Sequence, residues 1–138
     1  MAKSGKFMHT SAHTGLTIAL TNAFAAGTRH AVPLNQDQTG VIGSTRGVAR
    51  LSALWVRVDT IAGASSITIR LSRDTAGDQP WIGDSTATLS KGITTATAGC
   101  VTFKIDVDYV HSDGTLYLHA KTDAGTCNMK AIELTWEE

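Results

Sequence analysis

The chain has 138 residues, room for one domain with a core of its own and no need of covalent staples. Twelve basic residues balance twelve acidic ones, so no basic stripe points to nucleic acid. Charged residues make up only 17%, against roughly 25% in ordinary globular domains, and no apolar run reaches the roughly 20 residues of a membrane-spanning helix.

The first segment, Met1 to His13, has no periodicity and carries Lys3, Lys6, His9 and His13. It also lacks the apolar stretch of a secretory leader. Residues 1–15 read as an extended N-terminal arm, with residues 16–138 as the folded domain. Leu16, Ile18 and Leu20 suggest a first strand; His30 to Leu34 and Gly40 to Gly43 are short and weakly strand-like.

From the middle onward, apolar and polar residues alternate with period two, the mark of strands with one face buried. Leu54, Val56 and Val58 form one row, and Ile67, Ile69 and Leu71 the next. Val101, Phe103, Ile105 and Val107 follow, then Leu116, Leu118 and Ala120, and last Ile132, Leu134 and Trp136. The stretches between them are rich in Gly, Asp and Ser, the residues of tight turns. The expected fold is all-β, a single β-sandwich or jelly roll.

Facing the last three rows toward one core pairs Phe103 with Leu118 and Leu118 with Ile132, a three-stranded meander. In that arrangement Cys100 and Cys127 stand about two strand spacings apart, roughly 10 Å, too far to bridge. Free thiols and assembly in a reducing compartment follow.

The most distinctive loop runs from Arg73 to Trp81. Asp74, Asp78, Gln79 and Asp84 would offer oxygen ligands for calcium or hydrogen bonds to sugar hydroxyls, with Trp81 as a stacking platform. Against this, Asp in such loops commonly caps its own turn, and Trp81 would equally plug the sandwich or fill a subunit contact. A second acidic group, Asp106, Asp108 and Asp113, has the same double reading. His9 and His13 have an H-x-x-x-H spacing but no adjacent Glu or third ligand, so no metal site is assigned. There is no Gly-x-Ser-x-Gly elbow and no cysteine-protease flank. His111 beside Asp113, and His119 within a strand, lack a nucleophile at readable spacing. No catalytic residue and no cofactor is expected.

The stretches Ile67-Thr-Ile-Arg-Leu-Ser-Arg-Asp-Thr-Ala-Gly-Asp78, Phe103-Lys-Ile-Asp-Val-Asp-Tyr109, Gly114-Thr-Leu-Tyr-Leu-His-Ala-Lys-Thr-Asp-Ala-Gly125 and Ile132-Glu-Leu-Thr-Trp136 together resemble small β-sandwich virion proteins of tailed bacteriophages. The resemblance covers the last two-thirds of the chain and marks strands and turns rather than a site. It implies a non-enzymatic capsid decoration (cement) protein, assembled in the host cytoplasm and carried on the virion. Its partners would be the major capsid protein or other virion proteins, and its own state a homo-oligomer, with a trimer favoured. Phe7, Met8, Leu16 and Ile18 would anchor the arm on a neighbour, with Trp81 as a further contact. The alternatives are a small tail or neck component, or a carbohydrate-binding or host-attachment module.

Overall fold

The computed structural model describes residues 8–33, 48–78, 80–91, 98–104, 109–111 and 115–137. These form eleven strands and one short 3-10 turn at Ala26–Thr28. In chain order the strands are β1 (Met8–His13), β2 (Ile18–Leu20), β3 (Arg29–Pro33), β4 (Val48–Ala62), β5 (Ser66–Ser72), β6 (Pro80–Thr88), β7 (Ser90–Lys91), β8 (Gly99–Lys104), β9 (Tyr109–His111), β10 (Thr115–Thr122) and β11 (Thr126–Glu137). One sheet runs β1-β11-β4-β8-β7, with β2 beside β11 and β9 beside β4; the other runs β3-β10-β5-β6. The strand pairings are antiparallel. The two sheets enclose one core, and the expected β-sandwich is what forms.

Alternation sets which side chains are enclosed. Leu54, Val56 and Val58 of β4 face Ile67, Ile69 and Leu71 of β5, Leu116 and Leu118 of β10, and Ile132 and Leu134 of β11 in one buried cluster. Each of these ten side chains is almost wholly removed from water. Burial of such a Leu or Ile contributes about 1.5–3 kcal/mol.

The strand order corrects the expected meander. Phe103 lies opposite Leu54, not Leu118, and Ile132 lies opposite Val56. Leu118 belongs to the second sheet, between His30 and Leu71. β4 therefore separates β8 from β11. Cys100 and Ala131 flank Arg57 from its two sides, so Cys100 and Cys127 stand two strand spacings apart and four residues out of register. Both thiols are unpaired, and burial pushes that of Cys127 up to about 11.

The N-terminal region is described from Met8 onward. Of the arm placed at residues 1–15, Met8–His13 is β1, an edge strand in register with β11 from Met8↔Glu137 to His13↔Ile132. Residues 1–7, Phe7 among them, lie outside the described residues, as do Gly40 to Gly43.

Two of the turns that carry the chain from one sheet to the other stack on each other, Gly63–Ser65 after β4 and Asp123–Gly125 after β10. The Asp123 carboxylate accepts from the Ser65 N–H (2.9 Å), the Ser65 hydroxyl (2.9 Å) and the Ser66 N–H (3.2 Å). These donors hold its carboxyl down at about 2, the Ser65 N–H foremost. Gly125 completes the contact: its φ is +64°, and a Cβ there would stand 2.0 Å from the Ala62 carbonyl oxygen. Gly125→Ala should lower stability by about 2 kcal/mol or more, whereas Gly27→Ala, where a Cβ meets nothing within 4 Å, should leave it nearly unchanged. Urea unfolding of the two variants checks this.

Candidate functional site

A row of polar side chains lies on the outer face of the four-stranded sheet. Along β10, Tyr117, His119 and Lys121 alternate with the buried Leu116, Leu118 and Ala120, and along β5, Thr68 and Arg70 alternate with Ile67, Ile69 and Leu71. Register places His119 between Arg29 of β3 and Arg70 of β5. The arginines and the histidine thus come side by side from three strands.

A cover lies over this row. Phe24, from the segment between β2 and the 3-10 turn, meets the His119 ring edge-on at 6.2 Å between centroids. Arg70 stacks on the Phe24 ring at 4.7 Å and Lys121 at 4.9 Å. From the other side the turn after β5 folds over: Gly77 sits so close that a Cβ there would be 3.5 Å from the His119 ring and from Arg70 Nη1. His119, in an outward-facing position, is left only 3% exposed.

Beneath the cover, Ser72 and His119 form a buried pair, with Oγ and Nε2 2.9 Å apart. The Ser72 hydroxyl donates to the Asp74 carbonyl at 2.7 Å, so its one proton is committed and the imidazole Nε2–H must be the donor to Oγ. An activated serine needs the opposite polarity, with its hydroxyl donating to a neutral imidazole nitrogen. The pair is thus a satisfied polar contact that fastens the 73–78 turn to the sheet. Burial keeps the His119 imidazolium disfavoured, lowering its pKa against the partly opposing pull of the Asp74 carbonyl.

The acidic loop residues are placed apart in role. The Asp74 carboxylate accepts from the Asp78 N–H at 3.2 Å, closing the turn on itself. Asp84 lies in β6, not in the loop, and receives Arg70 through Nε at 2.7 Å and Nη2 at 3.2 Å. That hydrogen bond lowers the Asp84 pKa. Arg29 donates to the Thr75 carbonyl and lies over the Tyr117 ring at 6.0 Å. Trp81 has its backbone in β6, so it too is a strand residue rather than a loop residue. Gln79, Asp106, Asp108 and Asp113 are outside the described residues. Among the described residues no three His, Cys, Asp or Glu side chains converge as a metal site, which leaves the calcium option without an assembled donor set there.

Leu16 and Ile18, expected as anchors on a neighbour, pack half-buried against this chain's own core. The chain returns beside β11 after Gly15, pairing Ile18 with Met129. Met8 sits at the start of β1. Sequence reasoning missed Phe24, Arg29, Arg70, Ser72 and Lys121; a histidine and an arginine on the polar side of adjacent strands were the available signal.

No family model and no curated protein sequence matches the chain. Solved structures do. A carbohydrate-binding module from glycoside hydrolase family 9 (Cel9A) of Ruminococcus flavefaciens superposes with a TM-score of 0.56 at 12% identity, covering 97% of this chain and 100% of the module. The virus-like particle protein of Macrobrachium rosenbergii nodavirus gives 0.44 at 7% identity, covering 99% and 85%. The Cocksfoot mottle virus structure gives 0.39 at 10%, covering 99% and 88%. At these identities the likeness to the carbohydrate-binding module is one of fold, and fold does not fix function.

Ser72→Ala should strand the buried imidazole N–H and cost about 1–3 kcal/mol, read by urea unfolding at pH 7. A base whose folded pKa lies below its unfolded value stabilises fully above about pH 6.5 and progressively less as pH falls. Thermal unfolding between pH 7 and 5 should therefore show declining stability, with a shallower decline in His119→Gln.

Proposed function

We propose that the protein is a non-enzymatic structural component of a virus particle, of the capsid decoration (cement) kind, acting through subunit contacts. The observation that carries this reading is the position of β1. Among the described residues it is an edge strand at the rim of the sandwich, paired with β11, and on this reading the segment before it reaches a neighbouring subunit. An unpaired strand edge is also a ready template for pairing with another chain. The low charge and the sequence resemblance to tailed-phage virion proteins support this reading.

On this reading Phe7 and Met8 supply the apolar anchors, and their ordering cost is offset by burial on docking. Leu16 and Ile18, half-buried against this chain's own core, offer their remaining surface to the same contact. The partner is the major capsid protein or another virion protein, and the decorating unit is a homo-oligomer, a trimer by preference. Deleting residues 1–7 should leave the unfolding midpoint within about 2 °C of the full chain and reduce occupancy on purified particles at least tenfold. Unchanged occupancy would overturn the role of this segment.

A second reading, a carbohydrate-binding or host-attachment module, is favoured by the outer face of the four-stranded sheet. There Phe24 and Tyr117 lie among Arg29, Arg70, Lys121 and Asp84, aromatic surface combined with charged hydrogen-bonding groups. Binding to a glycan array that is lost in both Phe24→Ala and Trp81→Ala, with the fold retained, would select it. The structural reading expects no glycan signal above background.

A further inference from the structure

The two sheets come together along one open side of the sandwich, where β1 edges the seven-stranded sheet and β3 edges the four-stranded one. Register turns one histidine from each edge toward the gap. His13 lies opposite the buried Ile132, and His30 opposite the buried Leu118, so both side chains are on the core side of their strands. Their rings meet edge to face, with centroids 5.0 Å apart and planes at 81°. Nδ1 of His13 and Nε2 of His30 are 3.2 Å apart.

Two nitrogens bound to one tetrahedral ion at zinc–nitrogen distances near 2.05 Å stand about 3.3 Å apart. The observed separation, that of a hydrogen bond between the two rings, also matches the bite of a two-imidazole site once the shared proton has moved to the far nitrogen of its ring. Both residues are half-buried rather than enclosed, which leaves an ion a path to the pair. Partial burial also lowers the pKa of each histidine, and for His30 the proximity of His13 adds to the effect. Neutral imidazole is the form that binds metal.

We propose that His13 and His30 form a clasp for a borderline transition-metal ion such as zinc, with water completing the coordination, that ties β1 to β3 across the open side of the sandwich. The ligands come from edge strands of different sheets, so binding acts on the folded state and not on the unfolded chain, where the two residues are 17 apart. The only other link of β1 in the described pairings is to β11. The ion would accordingly make the edge strand a fixed part of the body. This inference is independent of the particle role, since its test needs only the purified chain.

The experiment is thermal unfolding and titration calorimetry of the full-length protein with zinc chloride at pH 7.5, alongside His13→Ala, His30→Ala and the near-isosteric His30→Gln. The chain should bind one ion, and 1 mM zinc should raise its unfolding midpoint by about 3–6 °C. Each variant should keep a cooperative metal-free transition and lose the zinc shift. Absence of binding heat and of any shift, or a shift that persists in His30→Gln and in either alanine variant, overturns the clasp. If the alanine variants do not fold, His30→Gln alone decides.

Discussion

The sandwich depends on one carboxylate. Asp123 binds two backbone N–H groups and one hydroxyl from the turn that begins the other crossover between sheets. It adds to the backbone links between these two turns, the Asp123 N–H donating to the Ser66 carbonyl at 3.2 Å and the Gly63–Thr126 bridge. Each crossover is short, three residues between strands, so its geometry fixes the relative position of β4 and β5 on one side and β10 and β11 on the other. The close approach of Gly125 to the Ala62 carbonyl leaves no room for a side chain between them. Hydrophobic burial supplies most of the stabilisation, but it is non-directional; the stacked turns determine which rows of Leu, Ile and Val meet.

The outer face of the four-stranded sheet obeys a different constraint. Its polar groups are paired with one another: Arg70 with Asp84, Ser72 with His119 and the Asp74 carbonyl, Arg29 with Thr75. A ligand arriving there has to compete with these contacts. Exposed ion pairs such as Arg70–Asp84 contribute little, about 0–1 kcal/mol, so the face is adaptable where that pair stands and fixed beneath Phe24. The fixed part includes the serine and the histidine in contact. Their hydrogen-bond polarity and burial hold a turn in place.

The sequence announced which residues turn inward, and not which strands are neighbours. Leu54, Val56 and Val58, or Ile67, Ile69 and Leu71, declare a buried face through their spacing alone. Period-two alternation carries no information about partners, so it is equally compatible with β10 beside β8 and β11, although the turn at Asp123 carries the chain from one sheet to the other between β10 and β11. The Ser72–His119 contact was hidden for the same reason: the residues are 47 apart and meet only once Leu118 is set opposite Leu71. His13 and His30 likewise meet because two edges converge, which no linear motif encodes. Phe24 sits in a stretch of Ala, Thr and Asn with no pattern to mark it. The Arg73–Trp81 stretch looked like one ligand loop because its acids are adjacent in sequence; a strand begins at Pro80, and it gives Asp84 to Arg70.

These features together describe a body built to present surfaces: a locked core, a paired polar face, and an N-terminal strand at the rim. The account stands on that body being part of a particle. The most direct test is its copy number in purified virions, measured by quantitative mass spectrometry against the major capsid protein. A decoration protein should be present in a simple ratio that matches the threefold positions of the capsid lattice. Absence from purified particles, or only a handful of copies in each, would contradict the account.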